Sequence, residues 1–411
     1  MKNKILNILS SKSIGNSFLL MFGTGISQLI PVLFSPFLAR LYTPAQFGDL
    51  AIFMAISILA AMVSSGLYEL GIVLPKEDID AKNILGIICI LSSIFFVLSS
   101  IVCFLLVQYF KFESFYYLLP FSILFTVSFN AISYWYNRFR KYKLLNFARI
   151  LQAIVIVSGS FIFSSLESIG LIYGFVAGGF LVFIIFFIIF IKNLSEITWI
   201  GMKEQLILHN KFPKIMLPSS LINTFSSYGP VFFIKRYYNS TTLGSYSMTS
   251  RVLTAPSSII STAVGQIFFK DISEFYQKGD LASIRNQFYN STKVLFFISI
   301  AFFLPLFFLG KELMVFVFGA TWFQAGEYME IIAIGSIIKF VVSPLSIILV
   351  VLGKINKLAK WQTLYFITTI IIFSIGSLYS IKTLLWIYTA HEIVLYVLYF
   401  YIIVKILKNE Y

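Results

Sequence analysis

The sequence predicts an all-α integral membrane protein. We expect about twelve transmembrane helices in two six-helix bundles, related by a pseudo-twofold axis along the membrane normal, with a central cavity. Three observations favour this fold class: the composition, the number of long apolar segments, and a repeat at an offset of 196 residues. Of the 411 residues, 59% are hydrophobic and 12% are charged, and the mean hydropathy is +0.90. Such a composition lies far outside the range of soluble domains.

Apolar runs long enough to cross a bilayer, about 20 residues each, recur twelve times along the chain. Only Glu167 and its small neighbours separate the fifth run from the sixth. The expected spans cover residues 14–39, 48–73, 84–110, 115–136, 147–166, 168–191, 214–233, 244–269, 294–310, 327–350, 360–379 and 384–404. Their connections are short, the longest being 192–211 and 270–293, so we expect no soluble catalytic domain.

The distribution of basic residues fixes the predicted orientation. Of the 31 lysines and arginines, 23 fall on the side that holds both termini, six fall on the opposite side, and two lie inside helices. Because lysine and arginine accumulate in cytoplasmic loops, both termini are predicted to be cytoplasmic. The net charge of +14 is therefore explained by topology and anionic membrane lipid. We expect no nucleic-acid partner.

An internal repeat appears when the first helix pair is aligned with the seventh and eighth. Arg40 followed by LYTPAQFGDL aligns with Arg236 followed by YYNSTTLGSY, so that Gly48 falls on Gly244. Two parallel copies with an even number of spans are typical of transporters with a cavity between their halves. The predicted domains are an N-terminal bundle over 1–195, a cytoplasmic linker over 196–213 and a C-terminal bundle over 214–411.

Motifs of soluble enzymes are missing from the sequence. It contains no GxxxxGK[ST] phosphate loop. The two histidines, His209 and His391, stand far apart and have no flanking pattern of metal ligands. We therefore expect neither an enzyme nor a cofactor nor a metal site.

Cations at membrane depth are the strongest functional signal. Arg251 and Lys339 lie inside predicted spans, where a charged side chain costs roughly 2.5 to 3.5 kcal/mol on insertion scales. Each could face the cavity and bind an anion; alternatively, Arg251 could reach back to the interface or pair with another group, and Lys339 could pair with another helix. Arg40, Lys235 and Arg236 break the charge bias at the outer ends of the repeated helices, and either surround the outer mouth or anchor the interface.

Two carboxylates are candidates for ion coupling. Glu392 lies inside the last span beside His391, and Glu69 lies near the cytoplasmic end of the second span. A membrane carboxylate that binds a proton or Na⁺ can couple transport to an ion gradient. A structural salt bridge for Glu392 and an interfacial position for Glu69 are the alternatives.

Four segments of the chain carry a family resemblance. They are SPFLARLYTPAQFGDLAIFMAI at 35–56, YELGIVLPK at 68–76, LGSYSMTSRVLTAPSSIISTAVGQIFFKDISE at 243–274 and FGATWFQAGEYMEIIAIGS at 318–336. Together they resemble the Wzx-type polysaccharide flippases of the multidrug/oligosaccharidyl-lipid/polysaccharide exporter superfamily, and the resemblance extends over nearly the whole chain in helix count and order. The chain departs from the family at one position: many members carry a basic residue after the glutamate of the YE segment, where this chain has Leu70.

The resemblance implies a flippase of the bacterial inner membrane that moves undecaprenyl-pyrophosphate-linked O-antigen or capsule units to the outer leaflet. Arg251 and Lys339 would then hold pyrophosphate or acidic sugar, with Arg40, Lys235 and Arg236 towards the exit. H⁺ or Na⁺ is the expected coupling ion, and polymerase and chain-length proteins are possible partners. The alternatives are a drug/cation antiporter of the same superfamily, which favours an acidic cavity, and a membrane-embedded polymerase or ligase, which needs a large external loop.

Overall fold

The computed structural model describes residues 11–166 and 168–409, and every regular element in this part of the chain is helical. Twelve of the described helices contain 20 or more residues, which confirms the predicted fold class. They are α1 (Ser11–Leu41), α2 (Pro44–Ser65), α3 (Asp78–Phe110), α4 (Leu119–Arg138), α5 (Tyr142–Ile162), α6 (Ser168–Asn193), α7 (Leu217–Tyr237), α8 (Ser240–Lys278), α9 (Leu281–Phe318), α10 (Phe323–Leu345), α11 (Ile355–Gly376) and α12 (Ile381–Asn409).

Helix α7 differs from the other eleven long helices of the described chain in having no stretch apolar enough for a candidate membrane span. Eleven candidate membrane spans are long and apolar enough to cross a bilayer in the described residues, and α7 is not among them. Its sequence, LPSSLINTFSSYGPVFFIKRY, contains four serines, an asparagine and a threonine. A polar helix at membrane depth needs protein or water on its polar face, because lipid offers these groups no hydrogen bonds.

Helices occupy most of the predicted connection over 270–293, which the sequence had not indicated. Helix α8 continues to Lys278 and α9 begins at Leu281, with only two residues between them. Glu274 and Lys278 form an ion pair of 2.6 Å one turn apart on α8, and such pairs support helices. Asp280 then accepts a hydrogen bond of 3.0 Å from the Ser283 backbone N–H, which caps α9.

The described chain forms two compact units. The first contains the residues up to Phe34 together with Asp49–Thr224, and the second contains Ser35–Gly48 together with the residues from Phe225 onward. The domain boundaries at 195 and 214 stay a prediction. In this division the segment 196–213 belongs to the first unit.

Several contacts hold the segment 196–213 inside the first unit. Its helix Trp199–Leu208 accepts a hydrogen bond of 3.1 Å at the Leu206 carbonyl from the Tyr68 hydroxyl. The Thr198 backbone N–H donates to Asn83 Oδ1 at 2.9 Å, at the start of α3. The segment is therefore a docked element of this unit.

The end of α1 and the start of α2 belong to the second unit. Trp322 donates its indole N–H to the Ala39 carbonyl at 3.0 Å, and its ring meets that of Phe47 edge-on at 5.2 Å. The helix boundaries also follow the repeat: α1 ends at Leu41 and α7 ends at Tyr237. Helices α2 and α8 begin at Pro44 and Ser240, again 196 residues apart.

Candidate functional site

Lys339 and Glu392, two of the predicted site residues, form an ion pair inside the second unit. The Lys339 ammonium nitrogen on α10 lies 2.7 Å from Glu392 Oε1 on α12. The two side chains differ in exposure: the Glu392 side chain is 3% exposed and that of Lys339 is 40% exposed. The carboxylate of the pair is therefore buried, whereas the lysine side chain is accessible.

Two tyrosines complete the surroundings of the carboxylate. Tyr365 on α11 and Tyr388 on α12 donate hydroxyl hydrogen bonds to Glu392 Oε1, at 2.8 and 2.9 Å. Together with Lys339, they bring three donors to a single oxygen. Hydrogen bonds to an ionised group are roughly twice as strong as neutral ones. This arrangement stabilises a charged carboxylate despite its burial.

Aromatic rings pack around this group and fix its geometry. Trp361 stacks on Tyr399 with ring centroids 4.1 Å apart and on Tyr365 at 5.4 Å. The Lys339 ammonium lies over the ring of Tyr396, 5.8 Å from its centroid, where a ring attracts a cation. Tyr365 is thus held by both its ring and its hydroxyl. The rigid surroundings favour one position of the acidic group.

His391, which precedes Glu392, belongs to a separate polar contact. Its Nε2 lies 2.8 Å from Thr368 Oγ1 on α11. Its Nδ1 is buried without a hydrogen-bond partner among the described residues. In the same part of the chain, no cluster of three metal-ligating side chains occurs. The histidine therefore connects α11 to α12 and has no described carboxylate or cysteine set with which to hold a metal.

Arg251 occupies a different position in the same unit. Its guanidinium carbon lies 5.7 Å from the ring centroid of Phe47, and the side chain is partly buried. Within the described residues it forms no ion pair with a carboxylate. Arg251 is therefore a cation at membrane depth whose described partner is an aromatic face.

The three predicted cations at the ends of the repeated helices divide into two types. Arg40 and Arg236 are exposed in the last turns of α1 and α7, which are equivalent positions of the repeat. Lys235 is partly buried and donates to Ser240 Oγ at 2.5 Å. Ser240 is the first residue of α8, so Lys235 is tied to the turn between the two helices. None of the three cations takes part in the ion pair on α10 and α12.

Glu69 lies in the first unit, beyond the end of α2. It belongs to a 3₁₀ segment, Tyr68–Val73, and is 2% exposed. Its Oε2 is buried without a hydrogen-bond partner in the described part of the chain. Burial raises the pKa of the Glu69 carboxyl, and the nearby Ser65 and Asn130 side chains oppose this shift. A carboxyl with these surroundings favours its protonated form.

Sequence reasoning missed the tyrosines around Glu392. A signal for two of them was present, because Tyr388, Glu392 and Tyr396 recur every four residues, a spacing that places side chains on one face of a helix. Tyr365 had no such signal, since it lies on another helix.

The comparisons with known proteins agree with the helical architecture. Residues 37–327 match the model of a family described as "Polysaccharide biosynthesis protein". The teichuronic acid biosynthesis protein TuaB of Bacillus subtilis (strain 168) is 22% identical over 209 residues, which is 51% of this chain and 42% of TuaB. The chain thus spans less than half the length of this curated relative.

Solved transporter structures share the fold at low sequence identity. The lipid II flippase MurJ, in an inward closed conformation, has a TM-score of 0.70 at 17% identity, covering 95% of this chain and 87% of MurJ. The MATE multidrug transporter DinF-BH has a TM-score of 0.65 at 14% identity, covering 98% of this chain and 96% of the transporter. These similarities establish a common fold for chains that are named for different cargoes.

Proposed function

Because this chain belongs to the polysaccharide biosynthesis protein family, whose model matches residues 37–327, we propose that it is a lipid-linked oligosaccharide flippase. It moves undecaprenyl-pyrophosphate-linked O-antigen or capsule units from the cytoplasmic to the outer leaflet of the bacterial inner membrane, by ion-coupled alternating access. The fold shared with a solved lipid II flippase supports this proposal.

The pair of Lys339 and Glu392 is the single observation that carries the proposal. A pyrophosphate headgroup needs cations at membrane depth, because lipid offers its charges no compensation. The Lys339 ammonium has three N–H donors. One of them serves Glu392, and the side chain is 40% exposed on its open side. Lys339 can therefore donate to a phosphate oxygen when cargo is bound. When the site is empty, Glu392 balances its charge.

Arg251 supplies the second cation of the proposal. Its guanidinium lies over the ring of Phe47 and forms no ion pair with a carboxylate in the described part of the chain. A guanidinium binds phosphate through two parallel hydrogen bonds, which a lysine cannot do. Arg40, Lys235 and Arg236 would receive the headgroup near the outer surface.

Ion coupling follows from the same pair. Protonation of Glu392 removes the negative charge that Lys339 balances, and leaves that ammonium with a full charge for the pyrophosphate. Loss of the proton restores the ion pair and competes with the bound headgroup. Na⁺ bound at the carboxylate would act in the same way. Glu69 is the second coupling candidate, in the first unit.

Translocation of lipid-linked oligosaccharide by variants tests the cationic mechanism. We expect Arg251→Ala and the charge-neutral Lys339→Ala/Glu392→Gln variant each to lower transport at least tenfold. Lys278→Ala, at the exposed end of the helix that carries Arg251, is the control and should keep wild-type transport. Wild-type rates in both test variants would exclude the mechanism.

The coupling role of Glu392 needs a separate measurement. We expect Glu392→Gln to bind lipid-linked oligosaccharide but to lose the stimulation of transport by a proton or Na⁺ gradient in proteoliposomes. Glu327→Gln removes a carboxylate that pairs with exposed Lys382, and should leave the gradient dependence intact. Undiminished stimulation in Glu392→Gln would assign coupling to another group.

One observation favours drug/cation antiport as a second candidate: the fold is shared with a multidrug transporter. In this chain Lys339 neutralises the buried carboxylate, whereas a site for cations needs that carboxylate unpaired. Efflux of a cationic dye separates the two functions. We expect no dye efflux from wild-type vesicles. In cells, deletion of the gene should leave lipid-linked units in the inner leaflet. A lost polymerase or ligase would instead leave single units exported.

A further inference from the structure

A cleft with three lysines lies between the start of α11 and the end of α12. It has a volume of about 360 Å³ and opens to the surface. Lys357 and Lys360 belong to the first turns of α11, and Lys405 belongs to the last turns of α12. The charge distribution of the sequence places these helix ends on the cytoplasmic side.

The rest of the cleft lining is apolar. It consists of Trp361 and Leu364 on α11 and of Ile402 and Ile406 on α12. Of these, Leu364 and Ile402 lie further from the helix ends than the lysines do. Along α11, the step from Lys357 to Leu364 covers about 10 Å at 1.5 Å per residue. The cleft is therefore cationic at the end of the helices and apolar towards their interior.

Two of the cleft's lysines, Lys360 and Lys405, carry charge that no described carboxylate balances. The described lining contains no carboxylate, and neither Lys360 nor Lys405 forms an ion pair within the described residues. The first turn of α11 adds the partial positive charge of a helix N-terminus. An anion bound here would thus meet these two cations and no acidic side chain of the described lining.

The wall of the cleft is rigid before any ligand arrives. Trp361 donates its indole N–H to the Leu395 carbonyl at 3.2 Å, and its ring stacks on Tyr399 at 4.1 Å. A preformed wall lowers the ordering cost of binding.

We propose that this cleft binds an anionic glycerophospholipid of the cytoplasmic leaflet. The lipid phosphate lies on Lys360 and Lys405, and an acyl chain lies against Trp361, Leu364 and Ile402. A cationic rim beside an apolar wall favours a lipid over a soluble anion, because a free phosphate has no apolar group to bury against that wall. Lysine clusters beside membrane helices attract anionic lipid through the same electrostatics. The cleft lining contains none of the residues proposed to bind the cargo.

Native mass spectrometry of the full chain tests the proposal, with phosphatidylglycerol and phosphatidylcholine as probes. We expect wild-type protein to retain phosphatidylglycerol in preference to phosphatidylcholine. The Lys360→Gln/Lys405→Gln variant should bind phosphatidylglycerol about tenfold more weakly, because each lysine contributes to the attraction. Lys408→Gln, on the same helix but outside the cleft lining, is the matched control and should bind as wild type does.

Two further probes identify the occupant. Phosphatidylglycerol binding that is equal in the double variant and in wild type would overturn the proposal. Release of phosphatidylglycerol by inorganic pyrophosphate at equal concentration would assign the cleft to a soluble anion. Lysine-dependent binding of undecaprenyl pyrophosphate, without any binding of phosphatidylglycerol, would assign the cleft to the transported lipid and also overturn the proposal. Phosphatidylglycerol binding is measured without transport, so the transport rates of the cargo-site variants do not affect these binding results.

Discussion

Gly48 and Gly244 face each other where the first turns of α2 and α8 cross. A Cβ atom on Gly48 would overlap the Ser240 carbonyl oxygen, and one on Gly244 would overlap the Pro44 carbonyl oxygen. The contact is reciprocal, since both pairs of residues are related by the repeat offset of 196. Each added Cβ would also lie 3.0 Å from the backbone nitrogen of the opposite glycine. The two helix starts thus meet backbone to backbone, as small residues permit in membranes.

We expect Gly244→Ala to lower the stability of the protein strongly, because its Cβ would overlap backbone atoms that cannot rotate away. Overpacking of this kind costs about 1 to 3 kcal/mol. Gly48→Ala should have a similar effect. The midpoint of thermal unfolding in detergent measures the change. Gly265→Ala on α8 is the control, since its Cβ would meet Pro344 at an ordinary 3.6 Å. A wild-type midpoint for Gly244→Ala would show that the helices separate at low cost.

The repeat was readable from the sequence because it depends on local signals. The arginine, the turn and the glycine recur in the same order, and these residues set where a helix ends and the next begins. The glycine contact itself was not predictable, since it requires the crossing of two helices that are about 200 residues apart in the chain. For the same reason, hydropathy predicts the number of spans but not the rotation of each helix.

The candidate site shows the same limit. The sequence identified Lys339 and Glu392 because a charge inside an apolar run is costly wherever the helix faces. It left their pairing open, since the pair depends on the rotation of both α10 and α12. Arg138 is one of the 23 basic residues on the predicted cytoplasmic side, and the sequence indicates no other role for it. Its hydrogen bonds to loop carbonyls depend on the path of a connection that hydropathy does not describe.

We expect Lys339→Met to destabilise the protein more than the double variant Lys339→Met/Glu392→Leu. The single change leaves a carboxylate buried without its cation, whereas the double change removes both charges. The loss on breaking such a pair is large for fully buried groups, and the partial exposure of Lys339 reduces it to about 2 kcal/mol. Chemical denaturation of the single and double variants measures the coupling. If the losses of stability in Lys339→Met and Glu392→Leu simply add in the double variant, the two side chains are not energetically coupled.

Tyr365→Phe should destabilise the protein by removing one hydrogen bond to the Glu392 carboxylate. Hydrogen bonds to charged groups contribute about 1.5 to 3 kcal/mol. Tyr396→Phe is the control, because its ring packs near Lys339 but no described hydrogen bond joins its hydroxyl to Glu392. Thermal unfolding of the two variants gives the comparison. Equal midpoints would mean that the tyrosine hydroxyl does not stabilise the carboxylate.

Glu69 should make stability depend on pH. Burial raises the pKa of its carboxyl above the ordinary value of 4.5, so the folded state binds the proton more tightly than the unfolded state. The stability that this proton provides is fully present below the unfolded pKa and is lost as the pH rises through the folded pKa. Glu69→Gln should therefore be more stable than wild type above that folded pKa, and the advantage should shrink as the pH falls towards 4.5.

Unfolding midpoints across a pH series test this expectation. Glu204→Gln changes the same kind of group at an exposed position of the helix Trp199–Leu208 and serves as the control. A stability difference between Glu69→Gln and wild type that stays constant over the whole series would show that the carboxyl does not titrate in this window.

Arg138 ties the end of α4 to the connection before α3. Its guanidinium donates to the carbonyls of Ile72 and Pro75 at 3.1 and 2.8 Å, and to Asp78 Oδ1 at 2.7 Å. We expect Arg138→Lys to loosen this connection, because a lysine cannot reproduce several donors fixed in one plane. The expected loss is about 1 to 3 kcal/mol.

Hydrogen exchange of residues 72–78, measured together with the unfolding midpoint, distinguishes local loosening from global destabilisation. Arg138→Lys should raise exchange in this connection before it lowers the midpoint. Arg140→Lys, two residues further on and exposed, keeps the same charge and should change neither quantity. Unchanged exchange in Arg138→Lys would mean that the positive charge alone, through Asp78, holds the connection. This connection follows the segment that carries Glu69 and leads directly into α3, so its order bears on how firmly that segment is attached to α3.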